Sequence, residues 1–379
     1  MRLAILTPSF LPVYNGMTFA TMQHASMLTK LGHGVIVVAS CPIEHRKAVK
    51  AYLAKHDIDF LPVDVSGSGL LFRPIAGDAQ AVVQQIASLD LEMVLVEGRY
   101  FWGYHLIPFL QNGRARIALV SHGAAASRFH WSIGSAARWL IYGIYRWSYE
   151  HRILRALDAV AVLSVHEDKE RFRDASLYRR LGLSPVVVGN TSLESVVHEV
   201  RKTIGESGRL RIALIGDMSQ IKNQLAAIGL AEGNDAISYV RFYFQAVNEY
   251  SRLVASLAHK RGITNFQYCT GLDRESIIRS LADIDLILCL STTEAQPLSI
   301  VDGLACGLPF LSTPVGCMSS MRGGVVSEVS EMRSIIQRLA SDNTALQGLA
   351  HEARLYFEDT HSEAAVKPAL DALISAAMA

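Results

Sequence analysis

The chain has 379 residues, half of them hydrophobic, and a formal net charge of +1 at pH 7. This length is too great for one ordinary hydrophobic core and fits two domains of roughly 150–200 residues. The near-neutral charge provides no overall field for nucleic acid, so we expect no nucleic-acid partner. The apolar runs are strand-sized and far shorter than the roughly 20 residues that span a bilayer.

The N-terminus favours a cytoplasmic location. An apolar strand pattern begins at Arg2 with no small-residue cleavage site behind it, which predicts that no signal peptide is present. The five cysteines are scattered and lack C-x-x-C spacing, which disfavours a disulfide framework and a structural zinc site. We therefore expect the cysteines to act as small hydrophobic residues.

Short strand patterns alternate with helix-length segments along the first half of the chain. The predicted strands there are residues 3–6, 35–39, 93–96, 117–121 and 159–163. The pattern restarts after a polar stretch, with strands at residues 211–215, 238–244, 265–268, 285–290 and 310–312. This alternation predicts α/β domains in which helices cover both faces of a parallel sheet.

The restart places a domain boundary near residue 200, giving domains 1–200 and 201–379. We expect two Rossmann-like, doubly wound domains facing across a cleft, because such sheets bind ligands beyond the carboxyl ends of their strands. A final helix is predicted at residues 362–377, and the sequence leaves open whether it packs back on the first domain.

Two common nucleotide-binding fingerprints are missing from the turns that should carry them. The turn after the first strand ends in Asn15 and Gly16, and the turn after residues 211–215 has only Gly216. Neither turn contains G-x-G-x-x-G, and the chain has no Walker A loop. We therefore expect neither a nicotinamide or flavin cofactor nor P-loop chemistry.

Residues 291–309 are the most informative stretch. They follow a predicted strand, turn at Pro297, form a short helix and end it at Gly307, a residue type that tolerates a left-handed helix end. The backbone N–H groups of Leu298 and Ser299 would lie at the helix N-terminus, where the helix dipole favours an anion such as a diphosphate.

Two carboxylates flank this helix start. Glu294 precedes the turn and can accept hydrogen bonds from sugar hydroxyls, while Asp302 lies about one turn into the helix and can reach the ribose hydroxyls. Taken alone, the segment leaves a second interpretation open, in which both acids are merely solvated.

The order S-x-x-E, proline, a second acid separated from the first by seven residues, and L-A-C-G-L-P resembles the nucleotide-sugar signature of the family-4 retaining glycosyltransferases with the GT-B fold. Other matches follow the family's order along the chain: Asn15 and Gly16 before a helix, His122 after a strand, Ser164, Asn190, and Gly216 followed by Lys222 and Asn223. The resemblance implies catalytic roles for His122, Lys222 and Glu294. It implies donor binding by Asn15, Gly16, Gly216, Gln296, Leu298, Ser299 and Asp302.

The resemblance also implies an activity. The chain would transfer a sugar with retention of configuration from a UDP- or GDP-linked donor to a glycan or lipid-linked acceptor, in bacterial polysaccharide or glycolipid assembly. Lys222 would stabilise charge on the leaving diphosphate, His122 would contact the donor sugar, and Glu294 would position it. Neither a metal nor a separate cofactor is expected.

Four positions depart from the family pattern and keep an alternative open. Asp217 occupies a position where the family often has arginine, and Asp302 replaces a glutamate. Asn15 replaces one glycine of the first loop, and Gln245 replaces another glycine after the strand at residues 238–244. The alternative is a catalytically lapsed GT-B-fold protein that binds nucleotides or acts as a scaffold.

Aromatic residues and arginines suggest where an acceptor would bind. Arg99, Tyr100 and Trp102 follow a strand end and either line an acceptor site or plug the loop. Residues 128–155 contain three of the four tryptophans and five arginines, which suits either packing of a long helix or peripheral contact with the inner face of a membrane. Asp283 and Asp285 superficially resemble a D-x-D metal motif, but we expect a structural role for them.

Overall fold

The computed structural model divides the chain into two compact units. The first unit comprises Met1–Gly189 and Val366–Ala379, and the second comprises Asn190–Ala365. The described residues are 1–8, 10–11, 15–67, 74–111, 113–123, 144, 149–165, 174–197, 205 and 208–379.

In the described part of the first unit, seven strands form one parallel sheet. They are β1 (Arg2–Thr7), β2 (Gly34–Ser40), β3 (Ile58–Val63), β4 (Met93–Glu97), β5 (Arg116–Ser121), β6 (Ala159–Val162) and β7 (Val186–Val187). Their order across the sheet is β3-β2-β1-β4-β5-β6-β7. The winding reverses between β1 and β4, and ligands of such sheets bind beyond the carboxyl ends of the strands at this switch point.

Helices cover both faces of this sheet. They are α1 (Gly16–Lys30), α2 (Ile43–Ala54), α3 (Ala79–Ala87), α4 (Trp102–Leu110), α5 (His151–Arg155), α6 (Asp174–Arg180) and the end of the last helix of the chain. Alternate residues of each strand point to opposite faces. Leu3 and Ile5 therefore pack with α1, α2 and the last helix, whereas Ala4 and Leu6 belong to the cluster that includes α3 to α6.

The second unit contains a second parallel sheet, with six strands among the described residues. They are β8 (Leu210–Ile215), β9 (Ile237–Phe244), β10 (Phe266–Thr270), β11 (Leu286–Cys289), β12 (Phe310–Ser312) and β13 (Gly324–Val326). Their order is β10-β9-β8-β11-β12-β13, so the winding reverses between β8 and β11.

The helices of the second unit pack with this sheet in one hydrophobic cluster. They are α7 (Glu194–Val197), α8 (Ala226–Ala231), α9 (Glu249–Lys260), α10 (Arg274–Ser280), α11 (Leu298–Ala305), α12 (Val329–Ser341) and α13 (Asn343–Thr360). The last helix, α14 (Glu363–Met378), begins in this unit outside that cluster. From Val366 onward α14 belongs to the first unit, where Leu370, Leu373 and Ile374 are buried next to α1 residues.

The predicted α/β fold with two doubly wound parallel sheets is confirmed. The units divide after Gly189, whereas the sequence placed the boundary near residue 200. Four cysteines are buried and Cys269 is half-buried, and all five are free. Most of the aromatic segment at residues 128–155 lies outside the described residues. Across the described ranges, no helix combines the length and apolarity needed to cross a membrane.

Candidate functional site

The side chain of one glutamine, Gln224, makes two hydrogen bonds to the backbone of the loop after β8. Gly216 has a φ of +142° and Asn223 a φ of +53°, conformations that glycine and asparagine adopt more readily than other residues. The Gln224 amide donates to the carbonyl oxygen of Asp217 at 3.1 Å and accepts from the backbone N–H of Ser219 at 3.2 Å. The loop is therefore fixed while Asp217 itself is exposed.

This loop brings Lys222 to Glu294, a residue 72 positions later in the chain. The Lys222 Nζ lies 2.5 Å from Glu294 Oε1, and the Ser291 hydroxyl donates to the same oxygen at 2.8 Å. A Cβ added to Gly216 would lie 3.4 Å from Lys222 Cε, so the lysine side chain passes directly beside the glycine. The two predicted segments thus meet at the carboxyl ends of β8 and β11.

The turn after β12 fixes the backbone of the Glu294 segment. Gly316 has a φ of +54°, and an added Cβ would lie 2.3 Å from the carbonyl oxygen of Glu294 and 2.4 Å from that of Ala295. The Thr313 hydroxyl donates to the carbonyl oxygen of Ser291 at 2.6 Å. Any side chain at position 316 would therefore displace the backbone that carries the Glu294 carboxylate.

Helix α11 begins directly after the segment that carries Glu294. Its N-cap is Pro297, which has no side-chain donor or acceptor, and its first turn contains no acidic residue. Within the described residues, the backbone N–H groups of Leu298 and Ser299 make no hydrogen bond. Gly303 allows the helix to approach β11 closely, because an added Cβ would lie 2.5 Å from a side-chain carbon of Ile287.

Asp302, which the sequence predicted as a ribose contact, has buried partners within the second unit. Its side chain is 5% exposed and is bound by Arg274, with Nη2 2.6 Å from Oδ1 and Nε 3.1 Å from Oδ2. The Ser192 hydroxyl donates to the same Oδ1 at 2.6 Å. Sequence reasoning missed Arg274 and Ser192, which both lie in the second unit and donate hydrogen bonds to this carboxylate.

Gln296 is likewise used inside the second unit. Its side-chain oxygen accepts from the backbone N–H of Asn190 at 2.6 Å, and its carbonyl oxygen accepts from the Asn190 amide at 3.1 Å. His361 donates from Nδ1 to the carbonyl oxygen of Asn190 at 2.9 Å, and burial lowers the pKa of His361 despite this hydrogen bond. These contacts explain why the second unit begins at Asn190 instead of near residue 200.

His122 follows β5 in the first unit and is bound by a carboxylate that sequence reasoning missed. Its Nε2 lies 2.6 Å from Oε2 of Glu97, the last residue of β4. The other oxygen of Glu97 lies 2.7 Å from Nδ1 of His24 on α1. The Glu97 side chain is fully buried, whereas that of His122 remains 12% exposed.

The pKa of Glu97 is lowered to about 2. Burial opposes ionisation, but the charge of His24 and the hydrogen bonds from both histidines outweigh it. Glu97 is therefore an anion throughout the pH range in which proteins usually work.

Asn15 and Gly16 shape the start of α1. Asn15 is the N-cap, and its side-chain oxygen accepts from the backbone N–H of Thr18 at 2.9 Å, a common stabilising arrangement. Gly16 is the first residue of the helix.

Arg99 and Trp102, for which the sequence left open an acceptor contact or a plug in the loop, are both buried. The Arg99 side chain is 2% exposed and forms ion pairs with Glu150 and Asp174. Trp102 is buried in the core of the first unit. Tyr100 has a φ of +59° and its hydroxyl contacts both Arg99 and Glu150, so this strand end builds a buried charge cluster.

The acids of the D-x-D segment are both bound by arginines. Asp285 is buried and accepts two hydrogen bonds from the Arg211 guanidinium, each at 2.9 Å. Asp283 accepts from Arg241 at 2.8 and 2.9 Å and from the Tyr239 hydroxyl at 2.8 Å. These contacts give the two acids a structural role between strands.

Solved structures with the same architecture cover almost the whole chain. A glycosyltransferase from Rickettsia africae has a TM-score of 0.71 at 15% identity, covering 99% of this chain and 97% of its own. Sucrose-phosphate synthase from Thermosynechococcus elongatus has a TM-score of 0.74 at 13% identity, covering 99% and 98%. The Anabaena protein Alr3699/HepE, solved with UDP and glucose, has a TM-score of 0.70 at 15% identity, covering 99% of both chains.

The chain has the GT-B fold. At these identities the likeness concerns the fold alone. No protein-family model and no curated protein matches the sequence. In this GT-B chain, the residues that sequence reasoning missed contact the predicted site residues or each other. They are Ser192, Arg274 and Gly316 in the second unit, and His24 and Glu97 in the first.

Proposed function

We propose that the chain is a retaining, metal-independent glycosyltransferase that moves a sugar from a nucleotide-diphosphate donor to a glycan or lipid-linked acceptor. The observation that carries the proposal is the meeting of Lys222 and Glu294 beside Gly216 at the carboxyl edge of the second sheet. The GT-B fold supports it, because the Anabaena protein with this fold was also solved with UDP-glucose.

In this proposal the second unit binds the donor diphosphate. The Lys222 ammonium supplies a compact positive charge, and the N–H groups of Leu298 and Ser299 supply hydrogen-bond donors at a helix N-terminus. Both would stabilise the charge that develops on the diphosphate when the sugar leaves. Asp217 is exposed, so water screens its charge from this region.

Donor binding would exchange the partner of Lys222. The Lys222 side chain is 30% exposed and that of Glu294 is 14% exposed, so their attraction is partly screened. Such pairs contribute at most about 1 kcal/mol, which is less than charge-assisted hydrogen bonds to phosphate provide. Release from Lys222 would free the Glu294 carboxylate to accept hydrogen bonds from the hydroxyls of the transferred sugar.

The structure changes the role that we propose for Asp302. Its carboxylate neutralises the buried Arg274 and accepts from Ser192, so we assign it to holding residues 190–192 against α11. A buried arginine without its partner is costly, which explains why an acid is needed here whatever the donor. The ribose contact is left to other groups.

Metal independence is part of the same proposal. Lys222 and the start of α11 would do the work of a divalent cation on the diphosphate. The carboxylates of Asp283 and Asp285, which superficially suggested a metal site, are committed to Arg241 and Arg211. We expect turnover to be unchanged in a chelator, and loss of turnover that magnesium or manganese restores would contradict this part of the proposal.

The test is thermal unfolding of the whole chain with a panel of nucleoside diphosphates. A ligand at 100 times its Kd stabilises the folded state by about 2.7 kcal/mol, so UDP or GDP should raise the Tm by several degrees. Lys222→Met should abolish this rise, whereas Lys260→Met, at the exposed end of α9, should retain it. If no nucleoside diphosphate raises the Tm of the unaltered protein, the proposal fails.

A catalytically lapsed, nucleotide-binding GT-B protein is the second candidate. The observation that favours it is Asp217, which places an acid where the resembling family often has an arginine. Nucleotide binding without transfer or hydrolysis of any nucleotide sugar would identify this candidate. Turnover that Lys222→Met abolishes would exclude it.

A further inference from the structure

The cluster of Glu97, His24 and His122 has a chemical consequence for the first unit. Each oxygen of the Glu97 carboxylate is used by a different ring, at 2.7 Å from Nδ1 of His24 and 2.6 Å from Nε2 of His122. Three elements supply these groups, namely α1, the end of β4 and the residue after β5. The cluster therefore lies at the carboxyl edge of the sheet, where doubly wound folds bind their ligands.

The ionised carboxylate decides which ring nitrogens carry protons. An ionised carboxylate can only accept hydrogen bonds, so the two nitrogens that face Glu97 must both be donors. Nε2 of His122 is therefore protonated, and Nδ1 of a neutral His122 holds a lone pair. Within the described residues, the His122 ring makes no hydrogen bond other than the one to Glu97.

The surroundings leave the His122 ring partly open and cover the His24 ring. The His24 side chain is 2% exposed, while that of His122 is 12% exposed. Gly98, with a φ of +94°, follows Glu97, and an added Cβ would lie 2.8 Å from Met17 Cε and 4.0 Å from Cδ2 of His122. A Cβ at position 98 would therefore clash with the Met17 side chain and reach ordinary contact distance from the His122 ring.

We propose that Glu97, supported by His24, is a positioning residue that fixes His122 as the Nε2–H tautomer, so that Nδ1 accepts a hydrogen bond from a sugar hydroxyl of the substrate. The inference rests on the proposed transferase function for the identity of the substrate. The assignment of the His122 tautomer does not depend on that function. Glu97 and His24 act through His122 and do not touch the substrate.

The substitution Glu97→Gln separates this role from a structural one. Glutamine keeps the shape of the side chain but offers one acceptor and one donor, so it cannot accept protons from both rings. One of the two histidines must then turn a lone pair toward residue 97. The matched control is Asp158→Asn, which alters a carboxylate that binds the Ile117 backbone N–H and Arg116 at the other edge of the same sheet.

The first measurement is the tautomer of His122 in the full chain, read from nitrogen chemical shifts of ¹⁵N-histidine-labelled protein and assigned with His122→Gln. For His122 we expect the Nε2–H form in the unaltered protein and in Asp158→Asn. In Glu97→Gln we expect His122, the more exposed ring, to shift toward the Nδ1–H form, the alternative being a shift of His24 toward its Nε2–H form. An Nδ1–H tautomer of His122 in the unaltered protein overturns the proposal.

The second measurement is sugar transfer from the donor whose nucleotide stabilises the protein. Glu97→Gln should lower kcat roughly tenfold to a hundredfold, the range set by one charge-assisted hydrogen bond, and leave the Kd for free nucleotide unchanged. Asp158→Asn should leave kcat unchanged. In Glu97→Gln the value of kcat should follow the tautomer of His122, so an unaltered kcat with a shifted His122, or a lowered kcat with an unshifted His122, also overturns the proposal. The Nε2–H tautomer together with absent nucleotide binding would refute the proposed function and leave the positioning of His122 in place.

Discussion

Replacing Asp302 tests whether this acid holds the protein together or contacts the donor. Asp302→Ala would leave the Arg274 guanidinium, with a side chain 6% exposed, without its partner and would remove the acceptor of the Ser192 hydroxyl. Breaking a buried ion pair from one side costs about 3–5 kcal/mol. For a unit the size of Asn190–Ala365, about 2–4 °C of Tm per kcal/mol converts this into a loss of roughly 6–20 °C.

Calorimetry of three variants provides the assay. Asp302→Ala should melt far below the unaltered protein, and the double variant Asp302→Leu/Arg274→Met should recover much of the loss because no unpaired charge remains. Asp217→Ala, at an exposed acid nearby in the same unit, should change Tm little. If Asp302→Ala melted within about 2 °C of the unaltered protein and instead weakened nucleotide binding, the structural role would be refuted and the ribose contact restored.

Three further outcomes follow from the geometry. Gly316→Ala should lower turnover and the free energy of unfolding in urea, because its Cβ would meet the Glu294 carbonyl oxygen at 2.3 Å. The control Gly229→Ala in α8 has open space around the added Cβ, so it should leave the free energy of unfolding unchanged or raise it by up to about 1 kcal/mol. Gly216→Ala should weaken binding of UDP or GDP in calorimetric titration, because φ is +142° and the added Cβ would approach the Lys222 side chain; equal affinities would contradict this. The pKa of Glu97 is about 2 when folded and 4.5 when unperturbed, so its contribution to stability is present above pH 4.5 and disappears as the pH falls toward 2. The difference in free energy of unfolding between the unaltered protein and Glu97→Gln should therefore shrink by about 1.4 kcal/mol when the pH is lowered from 5.5 to 3.5. A difference that stays constant would show that Glu97 titrates normally.

The sequence was sufficient for the fold because each central strand is a short apolar run followed by a turn and a helix. It missed β3, where Asp59 and Pro62 interrupt the apolar pattern. The structure places this strand at the edge of the sheet, which is where proline is tolerated in strands. Hydrophobic pattern therefore located the central strands and the edge strand β10, and it missed the other three edge strands, β3, β7 and β13.

The candidate site was predictable only in part. Motif spacing indicated Lys222 and Glu294, and the structure brings them together. Motif spacing could not show that Asp302 already has a partner, because Arg274 is an ordinary helix arginine in the sequence and its pairing with Asp302 arises only from packing. Glu97 was missed for a similar reason, since a single glutamate at the end of an apolar run carries no local signal of its two histidines.

The first unit is assembled from two separate pieces of chain, Met1–Gly189 and Val366–Ala379. During synthesis on the ribosome, the second unit is therefore complete before the first, even though the first begins earlier. Until residues 366–379 emerge, the sheet of the first unit lacks Leu370, Leu373 and Ile374 from one of its apolar faces. The nascent chain must carry that face, covered among the described helices only by α1 and α2, through the translation of an entire second unit, which makes the interval before α14 emerges the period of greatest exposure to aggregation.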